Sequence, residues 1–351
     1  MKALNVLKKS LAALTAAVLL CCCTACKDTS WVLRAGNDTI SAGVYLGYMI
    51  ESYYAAATSV SDKSADLFSQ KIDGVAAADY IRKQTLDEAK QHLAADRLFA
   101  EYELSLSDED KAAVQSSLDS VWSSISKLYE QNGCGKTSYL GILTAGKRRN
   151  NVFAYYYGKD GKEPVAESDL KAFFADNYVK YKVIDLQYSA HYSGVNTATD
   201  ASSEQKTRLK ELAESYVKRL KEGADIDRLI AEEKAFGNSD KTAAEVKEVD
   251  PSFIQKDTSD SPNAVNAAIF AAENGVPTLI ENSAYGYYVV VRYPLDRDGK
   301  DFTDRASSIL SAMKNSDFEK VLLKTAEEMK ITENNQALRR YKPQKINFTV
   351  G

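Results

Sequence analysis

The stretch AIFAAENGVPTLIENSAYGYYVVVRY, from Ala268 to Tyr293, decides the fold class of this chain. Its start completes a helix predicted over 264–272, and two strands follow at 276–279 and 285–293. The residues between the strands are mostly small or polar, which predicts a tight connection and an antiparallel pair. The run from Tyr287 to Val291 is apolar or aromatic throughout, which is typical of a central strand buried on both faces.

The preceding segments predict the rest of a mixed helix-and-sheet module. Residues 167–178 predict a helix, and 181–192 predict a strand with loose alternation. A helix with one apolar face is predicted at 204–222, and a second at 224–234, after the helix-ending Gly223. A polar loop then leads to the stretch quoted above. The predicted order is therefore one helix followed by β-α-α-α-β-β.

A short hairpin and several helices are predicted before this module. Trp31–Ala35 and Thr39–Ile40 predict strands around a turn, and Ser41 can cap a helix over 42–57. Ser107 is expected to begin a later helix, because an acid three residues on can complete a capping box. The later helices of this half are predicted over 79–103, 107–129 and 138–157.

The glycine- and lysine-rich segment after these helices predicts a linker to the module. A closing helix is predicted from Asp304 to about Lys330, and a polar tail containing Pro343 ends the chain. We expect the closing helix to pack on the N-terminal half, so that the module is an insertion in an α+β fold. The resulting segments are 1–26, 27–157, 158–166, 167–303 and 304–351.

The first 26 residues have the pattern of a lipoprotein signal. Three lysines and no acid precede an apolar run, Leu11–Leu20, which is too short for an ordinary membrane span. LLCCCTACK follows, where small residues precede Cys26 and resemble a lipobox, although Cys23 is unusual in that pattern. We expect cleavage before Cys26 and lipidation of that cysteine.

A metal site is the alternative interpretation of these cysteines. Three of them are consecutive and both histidines are distant in sequence, so no metal is expected.

The composition limits the classes of function. The 325 residues after Cys26 carry 42 Lys and Arg against 49 Asp and Glu, a net charge of −7. This acidic balance, in a sequence without an evident basic stripe, excludes a nucleic-acid binder. Cys134 is the one cysteine after Cys26, so no disulfide framework is expected.

The segment GCGKTS, from Gly133 to Ser138, is similar to part of a phosphate-binding loop but departs from its pattern. Such a loop needs a glycine five residues before the glycine that precedes the lysine, and that position is Glu130. It also follows a strand, whereas SISKLYEQN predicts the end of a helix. We therefore expect a glycine-rich turn between two helices.

Three stretches carry a resemblance to a known family. They are the strand–turn–helix start, the segment LKEGADIDRLIAEE from Leu220 to Glu233, and the stretch from Ala268. With the lipoprotein signal and the closing helix, they resemble the PrsA-type foldase lipoproteins of Gram-positive bacteria and the SurA-type chaperones of Gram-negative bacteria. The matching positions are Gly36, Ile40, Ser41, Tyr45, Phe270, Gly275 and Gly286.

The resemblance implies a parvulin-like module, the peptidyl-prolyl isomerase of this family, inserted into a helical chaperone core. Parvulins carry a histidine in the first strand and another in the last, both facing the peptide pocket. In this chain Tyr288 occupies the last-strand position, and Gln187 or Tyr188 occupies the first. These three are the candidate catalytic positions, and Phe270 is the candidate substrate-binding residue because it matches a pocket residue of the family.

The departures from the family pattern lower the expected activity. His191 lies three or four residues after the first-strand position and is expected on the surface or in a turn, because nothing near it in sequence orients it as a base. The family's Gly-Gly-x-Leu-Gly loop is replaced by AFGNSDKTAAEVKEVD. Rotation of an X-Pro bond crosses a barrier of about 18–20 kcal/mol but breaks no bond, so a dry cup with one or two hydrogen-bonding groups could still assist it. Isomerase activity is therefore expected to be weak or lost.

The expected function is that of a membrane-anchored foldase or holdase for secreted proteins, on the extracytoplasmic face of a Gram-positive cell membrane. Its expected partners are extended or unfolded polypeptides and, through lipidated Cys26, the membrane. The oligomeric state is left open, with a homodimer as one alternative, and no cofactor or nucleic acid is expected. The rival functions are a solute-binding lipoprotein, which usually has two βα lobes with parallel sheets, and a structural surface lipoprotein.

Overall fold

The computed structural model describes residues 29–236, 247–257 and 263–349. The chain divides into two compact units. The N/C unit joins the chain up to Val165 with the chain from Lys314 onward, and the inserted unit spans 166–313. Both units combine helices with small antiparallel sheets. The predicted α+β class is confirmed, with a sheet-containing module inserted into a helical core.

The front of the N/C unit is a hairpin followed by helices, as the sequence predicts. Ser41 caps the first helix and accepts a hydrogen bond from the Val44 backbone N–H at 3.3 Å, while Ser107 and Asp110 form a capping box. Gly133, at φ +88°, makes the turn between two helices that was expected at GCGKTS. The elements are β1 (Trp31–Ala35), β2 (Asp38–Ser41), α1 (Ala42–Ser59), β3 (Lys71–Ile72), β4 (Val75–Ala76), α2 (Ala77–Glu101), α3 (Asp108–Gln131) and α4 (Lys136–Tyr157).

The core of the N/C unit lies around α1. This helix packs against α2 and α4, and half of its residues are buried. Gly47 allows the close approach of α4, because a Cβ there would lie 2.4 Å from the Ile142 side chain and 3.1 Å from the Cys134 sulfur. Cys134 is itself buried in this core.

The inserted unit is built on a four-stranded antiparallel sheet in the order β6-β5-β8-β7. Apolar clusters cover both faces, so β8 is the central strand that the run from Tyr287 to Val291 predicts. Helices α7 and α8 pack on one face, and α9 packs on the other. The elements are α5 (Glu167–Asn177), β5 (Tyr178–Gln187), α6 (Tyr188–His191), α7 (Ser203–Lys221), α8 (Ile226–Phe236), β6 (Ser252–Gln255), α9 (Ala264–Ala271), β7 (Thr278–Asn282), β8 (Gly286–Tyr293) and α10 (Lys300–Thr303).

Two strands of this sheet differ from the sequence-based expectation. The strand predicted over 181–192 is β5, which ends at Gln187, and the next four residues form the single-turn helix α6. Tyr188 therefore leaves the sheet. The four-residue strand β6 lies in the segment expected to be a polar loop, where it is short enough to show no clear alternation.

The end of the chain returns to the N/C unit. Helix α11 (Ala306–Glu328) crosses the boundary between the units, and within the N/C unit its Phe318 packs edge-on against Phe153 at 5.3 Å between ring centroids. Strand β9 (Thr332–Glu333) then pairs with β1, and helix α12 (Asn335–Arg340) buries Ala337 completely. The segment expected as a polar tail therefore supplies a strand, which completes the sheet β2-β1-β9.

The predicted signal segment, residues 1–26, lies outside the described residues, and so does its predicted lipidation site, Cys26. Within the described ranges, no helix has both the length and the apolar character needed to cross a bilayer.

Candidate functional site

One face of the sheet in the inserted unit carries a shallow cavity of about 230 Å³, which we call the aromatic cup. Strands β5, β7 and β8 form its floor, and α9 with the residue before it forms its wall. None of its described lining residues is charged. The lining residues are Tyr181, Val183, Asn263, Val265, Asn266, Ile269, Asn282 and Tyr288.

Strand alternation brings the aromatic groups of the cup together. Asp185 pairs with Tyr288 across the sheet, so the odd-numbered residues of β5 and the even-numbered residues of β8 share one face. The Tyr288 hydroxyl accepts a hydrogen bond from Asn282 Nδ2 at 3.3 Å, which orients it at the rim of the cup. Tyr287 points to the opposite face and is buried there, as the period of two requires.

A second cavity, the edge groove, has a volume of about 390 Å³ and lies along the edge of β5 that faces away from β8. Its walls are residues 182–185 and 187 of β5, one side of α8, and the segment that leads into β6. Val183 lines both this groove and the aromatic cup, so the two cavities adjoin. The other lining residues are Ala190, Ile230, Glu233, Lys234, Val249, Asp250 and Ser252.

The edge groove exposes peptide groups of β5. Strand β6 pairs with β5 only from Tyr178 to Tyr181, and in the described part of the chain no other strand pairs with that edge. The Tyr188 N–H donates toward β8, to the Tyr285 carbonyl, so the even-numbered peptide groups point to β8. The odd-numbered groups, those of Val183 and Asp185, therefore point into the groove.

The structure separates the residues that the family resemblance placed at one pocket. Tyr288 lines the aromatic cup, and Phe270 packs in the same apolar cluster as Tyr288 but does not line the cup. Gln187 lines the edge groove, where its amide donates to Asp185 Oδ2 at 2.8 Å. Tyr188 is buried in the cluster on the opposite face of the sheet, because α6 turns the chain inward directly after β5.

His191 was expected on the surface or in a turn, and it ends the single-turn helix α6 with its side chain buried. Its side chain is 3% exposed, and its Nε2 lies 2.5 Å from Glu233 Oε1. The other oxygen of Glu233 accepts a hydrogen bond from the Tyr216 hydroxyl at 3.1 Å. Burial, with the Glu233 carboxylate beside it, raises the pKa of Tyr216 above its ordinary value. This network ties α6, α7 and α8 together beside the edge groove.

The chemistry of these sites favours binding over bond cleavage. The described lining of the cup offers two tyrosine rings, aliphatic groups and carboxamides, and it contains no acid or base. In the described ranges, no group of three or more His, Cys, Asp and Glu side chains could hold a metal ion.

The sequence analysis did not predict three residues that line the cup, Tyr181, Asn266 and Asn282. The alternation that places Tyr181 on the same face of β5 as Val183 was visible in the sequence, but the partner strand was not.

No family description and no curated protein matches this chain. Among solved structures, it is similar to foldase protein PrsA from Streptococcus pneumoniae strain Canada MDR_19A, at 14% identity and a TM-score of 0.38, over 73% of this chain and 87% of that one. PrsA from Lactococcus lactis is similar at 14% identity and a TM-score of 0.35, over 88% and 96%. PrsA from Bacillus subtilis is similar at 12% identity and a TM-score of 0.29, over 74% and 89%.

Proposed function

We propose that this chain is a lipid-anchored, extracytoplasmic foldase or holdase that binds extended segments of secreted polypeptides. The observation that carries the proposal is the aromatic cup, a cavity of about 230 Å³ whose described lining residues are uncharged. It adjoins an edge of β5 that the described strands leave unpaired beyond Tyr181. Aromatic rings bind apolar side chains and proline of many sequences, because their contact area is large and their conformational freedom is small. The binding is therefore broad in specificity, as a holdase requires.

The edge groove supports the same function through the backbone of the client. Val183 and Asp185 present peptide groups to it, and an extended polypeptide can add to such an edge as a further strand. These backbone hydrogen bonds do not depend on the sequence of the client. Because Val183 lines both cavities, a strand in the groove could place a neighbouring side chain at the cup.

Prolyl isomerisation is a secondary activity in this proposal, weak or absent. The transition state is a twisted amide, and an enzyme must bind it more tightly than the planar amide. The cup provides the Tyr288 hydroxyl, held by Asn282, at the last-strand position where parvulins carry a histidine. No second hydrogen-bonding side chain from the first-strand candidates reaches the cup, since Gln187 and Tyr188 lie elsewhere.

The proposed location follows from the sequence of the first 26 residues, which has the pattern of a lipoprotein signal. Two acyl chains on Cys26 would hold the protein at the extracytoplasmic face of the cell membrane. Clients that emerge from the secretion channel would then meet it at a high effective concentration. This localisation would allow a weak binder to act on nascent secreted chains.

Two assays on the same protein test the proposal. Suppression of aggregation of an unfolded client is expected, with little acceleration of a protease-coupled assay on a proline peptide. Tyr288→Ala should raise the Kd for a fluorescent unfolded peptide about fivefold, the equivalent of about 1 kcal/mol of aromatic contact. Tyr288→Phe should keep most of the binding and remove any isomerase activity, because it retains the ring without the hydroxyl.

The matched control is Tyr285→Ala, because Tyr285 is 52% exposed in the turn before β8 and does not line the cup. This variant should bind the peptide as the parent does. Equal losses in Tyr285→Ala and Tyr288→Ala would contradict the assignment of the cup. No client binding, combined with a tightly bound small solute in calorimetry, would instead favour a solute-binding lipoprotein.

A further inference from the structure

A basic surface lies on the last segment of the N/C unit. Arg339, Arg340, Lys342 and Lys345 fall within seven residues, and all four are exposed. No acidic residue follows Glu333 in the sequence. The chain as a whole is acidic, so this cluster is opposite in sign to the rest of the protein.

Two further cations extend this surface. A cavity of about 660 Å³ lies between α2 and the segment after β9, with Arg82 and Lys83 on one wall and Arg339 and Lys342 on the other. The two acids in its lining have partners of their own. Asp79 lies 3.5 Å from Arg82, and Glu333 lies 2.9 Å from Lys90. Within the described ranges, no acid lies within ion-pair distance of the four cations of the last segment.

The basic segment is fixed to the N/C unit rather than trailing from it. The Asn347 N–H donates to Asn132 Oδ1 at 2.8 Å, and the Asn347 carbonyl accepts from Asn132 Nδ2 at the same distance. The Phe348 ring stacks on Tyr53 with centroids 3.7 Å apart. The cations are therefore presented together on one ordered surface, with little further loss of conformational entropy on binding.

This surface also holds Thr29, the described residue that is nearest in sequence to the predicted anchor. Arg340 Nη1 donates to Thr29 Oγ1 at 3.1 Å, and the Tyr341 hydroxyl donates to the Thr29 carbonyl at 2.9 Å. Cys26 lies three residues before Thr29, which is at most about 11 Å of extended chain. That reach is close to the Debye length of about 8–10 Å at physiological salt.

We propose that Arg339, Arg340, Lys342 and Lys345 form a docking surface for the anionic lipid headgroups of the membrane that holds the chain. The proposal rests on the proposed anchoring at Cys26, which brings this surface within electrostatic range of the bilayer. The acidic remainder of the protein is repelled by the same lipids, so the attraction is directional. The lipid chains retain the protein, and the basic surface orients the N/C unit on the membrane.

The test is co-sedimentation of residues 27–351, which lack Cys26 and therefore its acyl chains, with vesicles of phosphatidylglycerol and phosphatidylcholine. Binding is expected to the mixed vesicles at about 0.1 M salt and not to pure phosphatidylcholine, and about 1 M salt should abolish it. The triple variant Arg339→Gln/Lys342→Gln/Lys345→Gln should bind at least tenfold more weakly, since each charge near the surface contributes about fivefold. Arg340 is left unchanged because it holds Thr29.

The matched control is Lys63→Gln/Lys127→Gln/Lys159→Gln, which removes three exposed lysines of the same unit and changes the net charge equally. It should bind as the parent does, and circular dichroism should show both variants folded. Equal weakening in both variants, equal binding to pure phosphatidylcholine, or full competition by inorganic phosphate matched to the lipid phosphorus would each overturn the proposal. The mass of the membrane-extracted protein tests lipidation of Cys26 separately, so a failed surface can be told from a failed anchor.

Discussion

The two histidines show how a side chain's role depends on residues that are distant in sequence. His92 lies 2.9 Å from the Tyr48 hydroxyl through Nδ1 and 3.3 Å from Asp96 through Nε2. His191 is held by Glu233, a residue 42 positions later. A buried imidazole needs such partners, because an unpaired polar group in a core is destabilising. No feature within a few residues of His191 could have indicated its partner.

Asp110 illustrates the opposite case, a residue whose role is visible in the sequence. It completes the capping box of α3 and also accepts hydrogen bonds from Lys147 and Asn151 of α4. The hydrogen bonds from Lys147 and Asn151, the largest causes, lower its pKa from the ordinary 3.8 to about 2. The ionised form is therefore the one that the fold stabilises.

We predict a pH-dependent loss of stability in Asp110→Asn. Because the folded pKa is lowered, the stabilising effect of the carboxylate is fully present above about pH 4 and is lost as the pH falls toward about 2. The variant should melt below the parent at pH 7, and the gap should narrow as the pH falls through this window. Thermal unfolding followed by circular dichroism measures it. Asp108→Asn, at a fully exposed position in the same turn, is the control and should show a smaller gap.

At the scale of the elements, the sequence predicted where helices with capping residues begin, but it did not predict the short strands β6 and β9. Ser41 and Ser107 mark the starts of α1 and α3 because their side chains satisfy backbone N–H groups locally. The strands β6 and β9 have four and two residues, and each exists because a partner strand supplies its hydrogen bonds. A pattern needs more residues than this to show a period of two.

The network at Glu233 should be a major determinant of how α6, α7 and α8 pack. Glu233→Ala would leave the buried His191 nitrogen without its carboxylate and the Tyr216 hydroxyl without its acceptor, each a loss of about 1–3 kcal/mol. The adjacent Glu232→Ala removes a half-exposed ion pair with Arg219 and should change stability by less than about 1 kcal/mol. Urea unfolding monitored by circular dichroism compares the two variants. Similar effects of the two substitutions would contradict this role.

At the scale of the whole molecule, the chain builds two units with separate apolar cores. In the N/C unit the core is completed by the returning chain, where β9 pairs with β1 and Phe318 packs on Phe153. In the inserted unit the sheet is covered on both faces by helices of the same unit. Each unit thus buries its own apolar surface, which is the main source of its stability.

The inserted unit is therefore expected to fold when residues 166–313 are expressed alone. This segment retains the whole four-stranded sheet and the small cluster of Phe174, Phe302 and Ile309. A cooperative thermal transition and dispersed amide signals in NMR are the expected results. The N/C unit gives the contrasting case, because residues 29–165 alone lack β9 and should lose cooperativity. A disordered 166–313 fragment would show that its cores depend on the rest of the chain.

By itself the sequence determined the α+β class, the helices with their caps, the central strand β8 and the opposite faces of Tyr287 and Tyr288. These features follow from local rules: side-chain period, capping chemistry and the conformational preferences of glycine. Only the tertiary structure decided the end of β5, the split of the candidate pocket residues between two cavities, the burial of His191 and the folding of the last segment onto β1. Each of these depends on hydrogen bonds or packing between residues far apart in sequence, which no local pattern encodes.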